Sequence, residues 1–274
     1  MYGRELAAGL DAVKTACTHL VAAYADFQAI PNAPADITTE ADRQSQEILL
    51  QHLMRVFPGD AFCAEENTAS LKSAAATGAR LWIIDPIDGT RGFAQKNGEF
   101  SVMVALVERG KIGVGIVAQP VIGRLTYATH DGGCWRRDDE AAEPIRCHAT
   151  QIESLDRATL TQSRSRDPNK PSHWVQALRP ARVIESHSAG VKLALVARGE
   201  ADLYLNTYDA FHDWDICAGH ILVTEAGGKI TGSGGQELIY GVAGAWQRHG
   251  LLASNGKIHD AALERIGPVL AGRT

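Results

Sequence analysis

Trp82-Ile83-Ile84-Asp85-Pro86-Ile87-Asp88-Gly89-Thr90 reads as a buried strand that runs into a turn loaded with acid. Trp82, Ile83 and Ile84 are strand formers, Pro86 fixes the backbone, and Asp88-Gly89 makes the turn. Two carboxylates three residues apart at the mouth of a strand repel one another unless a cation lies between them. Oxygen-only donors select a hard ion such as Mg²⁺. If a helix begins at Thr90, the backbone N–H groups of Gly89 and Thr90 offer phosphate a seat beside that ion. An Asp-rich turn that only caps the next element is the alternative reading.

Composition narrows the classes. A chain of 274 residues, 45% hydrophobic, buries a sizeable core in one large domain or two coupled ones. The net charge of -5 and the scattered basic residues exclude a nucleic-acid-coating surface or a membrane patch. Five cysteines (Cys17, Cys63, Cys134, Cys147 and Cys217) form no CxxC pair, which fits free thiols in a reducing compartment. No run approaches the length of a membrane span, and the expected location is cytoplasmic.

Leu6, Leu10, Val13, Cys17, Leu20, Val21, Tyr24 and Phe27 recur at helical spacing and predict an amphipathic helix over 5–29. A second helix starts after Thr38 or Thr39 and stops before Pro58-Gly59. Asp42 lies in its first turn, where a carboxylate ordinarily serves the helix dipole. Residues 61–64 form a strand delivering Glu65-Glu66, and 67–78 a polar loop leading to the strand at 81–84. Segments 100–107, 112–118, 125–129 and 134–137, joined by glycine turns, extend an antiparallel sheet. A boundary in the polar stretch 141–154 divides an α+β part, 1–148, from an α/β part, 149–274. In the second part, strands at 158–161, 182–185, 202–205, 229–231 and 251–253 alternate with helices at 173–178, 189–197, 216–226 and 258–270. Asp213-Trp214-Asp215 opens the helix at 216, again a capping position, with Trp214 read as packing. Asp42, Glu65-Glu66, Asp85/Asp88 and Asp215 thus all sit at the ends of predicted elements. Periodicity does not say whether they converge.

Two longer motifs carry a resemblance. Asp85-Pro86-Ile87-Asp88-Gly89-Thr90, with Glu65 twenty residues before Asp85, resembles the first signature of the inositol monophosphatase family of Mg²⁺-dependent phosphatases. Trp214-Asp215-Ile216-Cys217-Ala218-Gly219, followed by Thr224-Glu225-Ala226-Gly227-Gly228, resembles its second. The resemblance implies a layered α/β/α/β/α sandwich with the site between its two parts, and attack of metal-activated water on a phosphomonoester. It implies Glu65, Asp85, the carbonyl of Ile87, Asp88 and Asp215 as ligands for two or three Mg²⁺ ions. Asp42 and Thr90 would orient and deprotonate the water, with Glu65 beside them, and Gly89 and Thr90 would hold the phosphate. Relatives include dimers, so a homodimer is possible. The chemistry agrees: with an anionic transferring group, positioning and charge neutralisation suffice without a protein nucleophile.

Ser163-Arg164-Ser165 and Ser188-Ala189-Gly190-Val191-Lys192 look most like the 3'(2'),5'-bisphosphate nucleotidase branch. That likeness implies substrate contacts at Ser163, Arg166, Ser188 and Lys192, besides Asp88, Gly89, Thr90 and Asp215. The implied reaction converts 3'-phosphoadenosine 5'-phosphate to AMP; inositol monophosphatase and histidinol-phosphate phosphatase are the alternatives. Arg166 stands where nucleotidases usually carry histidine, and the segment 206–212 is longer than the family's and lacks the glutamate that inositol-specific members use. Lys192 has a second reading as a solvated lysine on an exposed helix face. Asp88 is expected in a mostly solvated site. His187 and His212 lack ligand spacing and read as surface or packing residues. A family-shaped binding or regulatory protein without catalysis is the reading from another class.

Overall fold

The computed structural model describes residues 1–138, 142–165, 171–241 and 246–272. In chain order the elements are α1 (Gly3–Asp26), α2 (Glu40–Val56), β1 (Ala61–Ala64), α3 (Ala69–Ser73), β2 (Arg80–Asp88), α4 (Thr90–Ala94) and β3 (Ser101–Glu108). There follow β4 (Lys111–Gln119), β5 (Arg124–Thr129), β6 (Gly133–Arg137), β7 (Ile145–Cys147), β8 (Thr159–Ser163), α5 (His173–Leu178), β9 (Arg182–Ser186) and α6 (Ala189–Ala197). The chain closes with β10 (Leu203–Asn206), β11 (Phe211–His212), α7 (Asp213–Glu225), β12 (Lys229–Thr231), β13 (Trp246–Gln247), β14 (Leu251–Ser254) and α8 (His259–Ala271).

Strands β1 to β7 form one sheet in sequence order, parallel between β1 and β2 and antiparallel thereafter. A second sheet has the order β12-β14-β10-β8-β9, with β8 parallel to both β9 and β10. β11 and β13 pair as a small ribbon.

Burial explains the layering. Trp82 and Ile84 of β2 face α1 and α2, packing among Ala12, Leu20, Leu49, Leu50 and Val104. Ile83, between them, faces the other way, into a core with Met103, Leu193, Ile216, Cys217 and Ile221. A strand covered on both faces needs apolar residues at every position, hence the unbroken Trp-Ile-Ile run. Helices α6 and α7 fill the space between the sheets, apolar nearly all round because both sides are covered. Helices α5 and α8 close the far face of the second sheet, around Leu160, Leu203, Leu252, Trp174 and Ile266. The result is the α/β/α/β/α order. Glycines permit the tight middle layer: a Cβ at Gly115 of β4 would sit 2.5 Å from the carbonyl of Ala218, and one at Gly219 would strike Leu193.

The polar loop expected over 67–78 contains α3, and the segment before Asp213 contains β11. Both are very short, below the length at which a periodicity shows. The five cysteines are free. No helix among the described residues is long and apolar enough to cross a membrane.

Candidate active site

The twenty-residue offset between Glu65 and Asp85 is the register of two strands. β1 and β2 pair in parallel with Ala61 opposite Leu81 and Ala64 opposite Ile84, so the residues that follow, Glu65 and Asp85, emerge side by side. Further along, Asp85 pairs with Met103 and Asp88 with Ser101, three steps on β2 against two on β3. This bulge at Pro86-Ile87 turns Asp88 to the same face as Asp85, whereas an odd spacing on a regular strand would oppose them. Ile87 points instead into the core beside Ile84.

Asp42 comes from the first turn of α2. Its Oδ2 accepts the N–H of Thr39 at 2.8 Å and the Thr39 hydroxyl at 2.6 Å, while Oδ1 accepts the Thr90 hydroxyl at 2.8 Å. The Thr90 hydroxyl also lies 2.9 Å from the carbonyl of Ile87. Ser45 donates to the carbonyl of Pro86 and Gln46 brackets the backbone of Glu66, so one face of α2 pins both the bulge and the Glu65 segment. The sequence reading missed Ser45 and Gln46, although they lie one turn beyond Asp42 on the same helix face.

Asp215 is the third residue of α7, and its Oδ2 accepts the N–H of His212 at 2.6 Å. Asp88 is held by the start of α6: Oδ1 accepts from Ala189 N at 2.9 Å and Oδ2 from Gly190 N at 2.7 Å, with the hydroxyls of Ser101 and Ser188 also on Oδ2. It is 6% exposed, so the solvated position expected for it is corrected: the bulge drives it into the junction of β2, β3 and α6. Capping and site geometry coexist in all three acids. Asp42 and Asp215 each use one oxygen on a helix N-terminus and Asp88 uses both, and the positive ends of α2, α6 and α7 face the same cleft.

The carboxyls crowd one another. Burial, then Glu65, Asp88 and Asp215, push Asp85 well above the carboxylate range. Glu65 is accessible to solvent, yet the surrounding cleft strips water from it, and with Asp215 and Asp42 pushes it to about 8. Burial raises Asp215 to about 7, opposed by the bond from His212. Asp42 is raised by burial, against the bonds from Thr39 and Thr90. An oxygen-only set that tolerates its charge this poorly fits a hard cation. Among the described residues, the tightest trio of metal-ligating atoms lies elsewhere: His130, Asp131 and Glu225, on the surface, within 4.8 Å of one another.

Gly89 adopts φ +88, and a Cβ there would lie 2.8 Å from the carbonyl of Glu99 and 3.1 Å from the N of Ser188. α4 does begin at Thr90. The N–H groups of Gly89 and Thr90 meet no acceptor among the described residues.

The remaining expected contacts fare differently. Ser163 is exposed at the end of β8, 3.4 Å from the Asn206 amide at the end of β10. Ser188 is fully buried, capping α6 through Val191 N. Lys192 is also buried, its ammonium on the carbonyl of Ser186 at 2.9 Å and over the Tyr204 ring, and burial lowers it to about 8. The solvated-helix reading of Lys192 is therefore overturned, because α6 has no exposed face. Arg166 lies outside the described residues. His212 stacks on Trp214, with ring centroids 4.2 Å apart, and meets the tilted ring of Trp246 at 4.0 Å.

Residues 5–268 match the profile of the Inositol monophosphatase family. The chain belongs to that family. It is accordingly a phosphatase, and members of the family are metal-dependent, generally with Mg²⁺, and act on small phosphorylated metabolites. The chain is similar to a fructose-1,6-bisphosphatase/inositol-1-monophosphatase of Thermotoga maritima, 31% identical over 86% of this chain and 84% of that one. It is 30% identical to a histidinol-phosphatase of Streptomyces coelicolor, with 82% of each covered, and to the 3'(2'),5'-bisphosphate nucleotidase CysQ of Salmonella typhimurium, covering 74% and 78%. Its fold superposes on the solved inositol monophosphatase of Thermotoga maritima with a TM-score of 0.81, at 27% identity and 99% of both chains.

Proposed function

We propose that this phosphatase hydrolyses a small phosphomonoester by in-line attack of water and that its substrate is 3'-phosphoadenosine 5'-phosphate, released as AMP. The observation that carries the chemistry is the convergence of Asp42, Glu65, Asp85, Asp88 and Asp215 on the turn at Gly89-Thr90. Glu65, Asp85, the Ile87 carbonyl, Asp88 through its less occupied Oδ1, and Asp215 through Oδ1 would hold two or three Mg²⁺ ions. Bound there, the metal lowers the pKa of water and neutralises the leaving oxygen.

The chain's own residues do the rest. The free N–H groups of Gly89 and Thr90 hold phosphate oxygens and set the line of attack. The Thr90 hydroxyl, donating to Asp42 Oδ1, offers its lone pair to the incoming water and relays a proton to the carboxylate. Asp42 suits the task because burial raises its basicity. This reading disfavours a silent binding protein, which gains nothing from carboxyls that destabilise one another.

Support for the nucleotide substrate is the likeness to CysQ, the Ser163-Arg164-Ser165 segment, and the absence of glutamate over 206–212. Lys192, buried with its ammonium on the Ser186 carbonyl, is engaged within the fold and not on the substrate. The likeness to the Thermotoga maritima enzyme favours inositol 1-phosphate or fructose 1,6-bisphosphate as the second reading. Phosphate release from 3'-phosphoadenosine 5'-phosphate, inositol 1-phosphate, histidinol phosphate and fructose 1,6-bisphosphate, each with Mg²⁺ or EDTA, tests both. A preference for the adenosine bisphosphate that EDTA abolishes is the expected result. A preference for another ester overturns the substrate, and release insensitive to EDTA overturns the mechanism.

A further inference from the structure

β6 and β7 end the first sheet, and their register sets two cysteines face to face. Cys134 pairs directly with Cys147, as Trp135 does with Arg146 and Arg136 with Ile145. Alternation along a strand puts successive pairs on opposite faces. Arg146 lies over the Trp135 ring on one face, whereas Cys134 and Cys147 both point into the core beneath α6 and α7, with Val196, Ala197 and Ala226. Directly opposed residues of an antiparallel pair have Cα atoms about 4.5 or about 5.5 Å apart, and both values lie in the range of about 4.4–6.8 Å that a disulfide spans. Both residues are thiols in this structure.

The other cysteines are placed differently. Cys17 belongs to α1 and packs on the opposite face of the sheet. Cys63 of β1 and Cys217 of α7 touch the same core as the pair, but Cys63 stands opposite Ile83 and Cys217 lies on a helix, so no ladder aligns them.

The two paired sulfurs are not equivalent. The hydrogen bond from Cys134, then Arg198 and Arg136, draw the Cys147 thiol below its ordinary value, against burial and Glu200. The same bond, then burial, raises Cys134. Arg198 is fixed where it acts: its side chain is 2% exposed and donates to Gln119 at 3.2 Å, Thr126 at 3.0 Å and Glu200 at 2.8 Å. Access follows the same order. Cys134 is sealed between β5 and β7, whereas β7 is a three-residue edge strand whose Ile145 and Arg146 are exposed. Opening of that edge uncovers Cys147 first.

We propose that Cys134 and Cys147 are a redox modification site, a cross-strand dithiol that low-molecular-weight disulfides convert to a reversible intramolecular disulfide, with Cys147 as the attacking sulfur. The Cys147 thiolate attacks one sulfur of glutathione disulfide, the S–S bond breaks, and one glutathione thiolate leaves. The Cys134 thiolate then attacks Cys147 Sγ and expels the second. Each protein thiol gives up its proton and each glutathione thiolate takes one up, so two protein thiols are oxidised as one glutathione disulfide is reduced to two glutathiones. The new bond ties β6 to the chain's crossing into the second sheet. Ala149, two residues on, donates to the Ala226 carbonyl at the end of α7, and a Cβ at Gly199, just past α6, would lie 2.8 Å from the His148 carbonyl.

The test takes the full chain, reduced, incubates it with glutathione disulfide, alkylates it and maps it by mass spectrometry. A peptide pair joined at 134 and 147, returned to free thiols by dithiothreitol, is the expected result. The joined form should unfold at higher urea than the reduced form, because the cross-link restricts the unfolded chain. Single substitutions read the order of attack. Cys134→Ser should hold glutathione on Cys147, whereas Cys147→Ser should leave Cys134 unmodified at the same oxidant concentration. Melting curves establish that each variant is folded, and the mapping of the wild-type chain stands without them. No bond at saturating glutathione disulfide, a bond between Cys63 and Cys217 in its place, or glutathione trapped equally at 134 and 147 overturns the proposal.

Discussion

Asp42 and Asp215 each give one carboxylate oxygen to the first turn of a helix and leave the other for the cleft, whereas Asp88 sets both of its oxygens on the start of α6. A capping acid and a catalytic acid are therefore the same residue, and the usual choice between those readings does not arise. For Asp88 this has a consequence in substitution. Asparagine in its place must turn an amide NH₂ toward Ala189 N or Gly190 N, both of which need an acceptor. Asp88→Asn should lower kcat by at least ~10²-fold and also lower the thermal midpoint, seen by steady-state kinetics beside a melting curve. An unchanged midpoint would show that the Asp88 bonds to α6 are dispensable. Thr90→Ala removes the hydroxyl between the water and Asp42, and kcat should fall by ~10²- to 10⁴-fold with KM little altered. Thr90→Ser should keep most of the rate. If Thr90→Ala retains wild-type kcat, Asp42 is not reached through this hydroxyl.

At the level of elements, periodicity located the long helices and the strands of both sheets other than β7, which lies within the stretch 141–154 read as a boundary, because burial on one or two faces writes itself into spacing. α4, β11 and β13 escaped, being too short to show a period, and α4 was foreseen only as a condition for binding phosphate. The bulge at Pro86-Ile87 was not legible either. It is a mismatch between two strands, visible only once β3 is laid against β2. The middle layer makes its own prediction. β4 admits α7 because residue 115 has no side chain, and α6 meets α7 at Gly219. Gly115→Ala and Gly219→Ala should each destabilise the fold by about 1–3 kcal/mol in urea unfolding, since the new methyl would meet the backbone carbonyl of Ala218 at the first and the Cβ of buried Leu193 at the second, atoms that a rotamer change does not move. A neutral result at both would mean that the layer repacks.

For the whole molecule, the clustered carboxyls couple folding, pH and metal. Asp85, Glu65 and Asp215 are all raised in the folded state, so folding favours their protonated forms. The contribution is complete at low pH, where both states are protonated, and is lost as pH rises from about 4, the unfolded value, through about 7 to 8. Metal-free protein should therefore become less stable across that window, and Mg²⁺ should reverse the loss by pairing the ionised groups. Melting curves at pH 5 and pH 8, with Mg²⁺ or EDTA, check this: the Mg²⁺ gain should be larger at pH 8. Glu65→Gln should raise the EDTA midpoint at pH 8 and diminish the Mg²⁺ gain. Equal gains at both pH values would place the metal away from these carboxyls.

The acid turn at Asp85 to Thr90, the second motif at Trp214 to Gly219 and the helix-end positions of Asp42 and Asp215 stood in the sequence, and with them the family and its metal-dependent chemistry. These features are local, since a turn, a cap or a run of strand formers is specified by neighbours along the chain. What the tertiary structure alone decided is who faces whom. It set Glu65 beside Asp85 through strand register, swung Asp88 onto the end of α6 through the bulge, and buried Lys192 and Ser188 by wedging α6 between two sheets. It also left the buried Nε of Arg91 without an acceptor among the described residues. Charges act through space, and the distances that decide their roles arise only when segments remote in the chain are packed together.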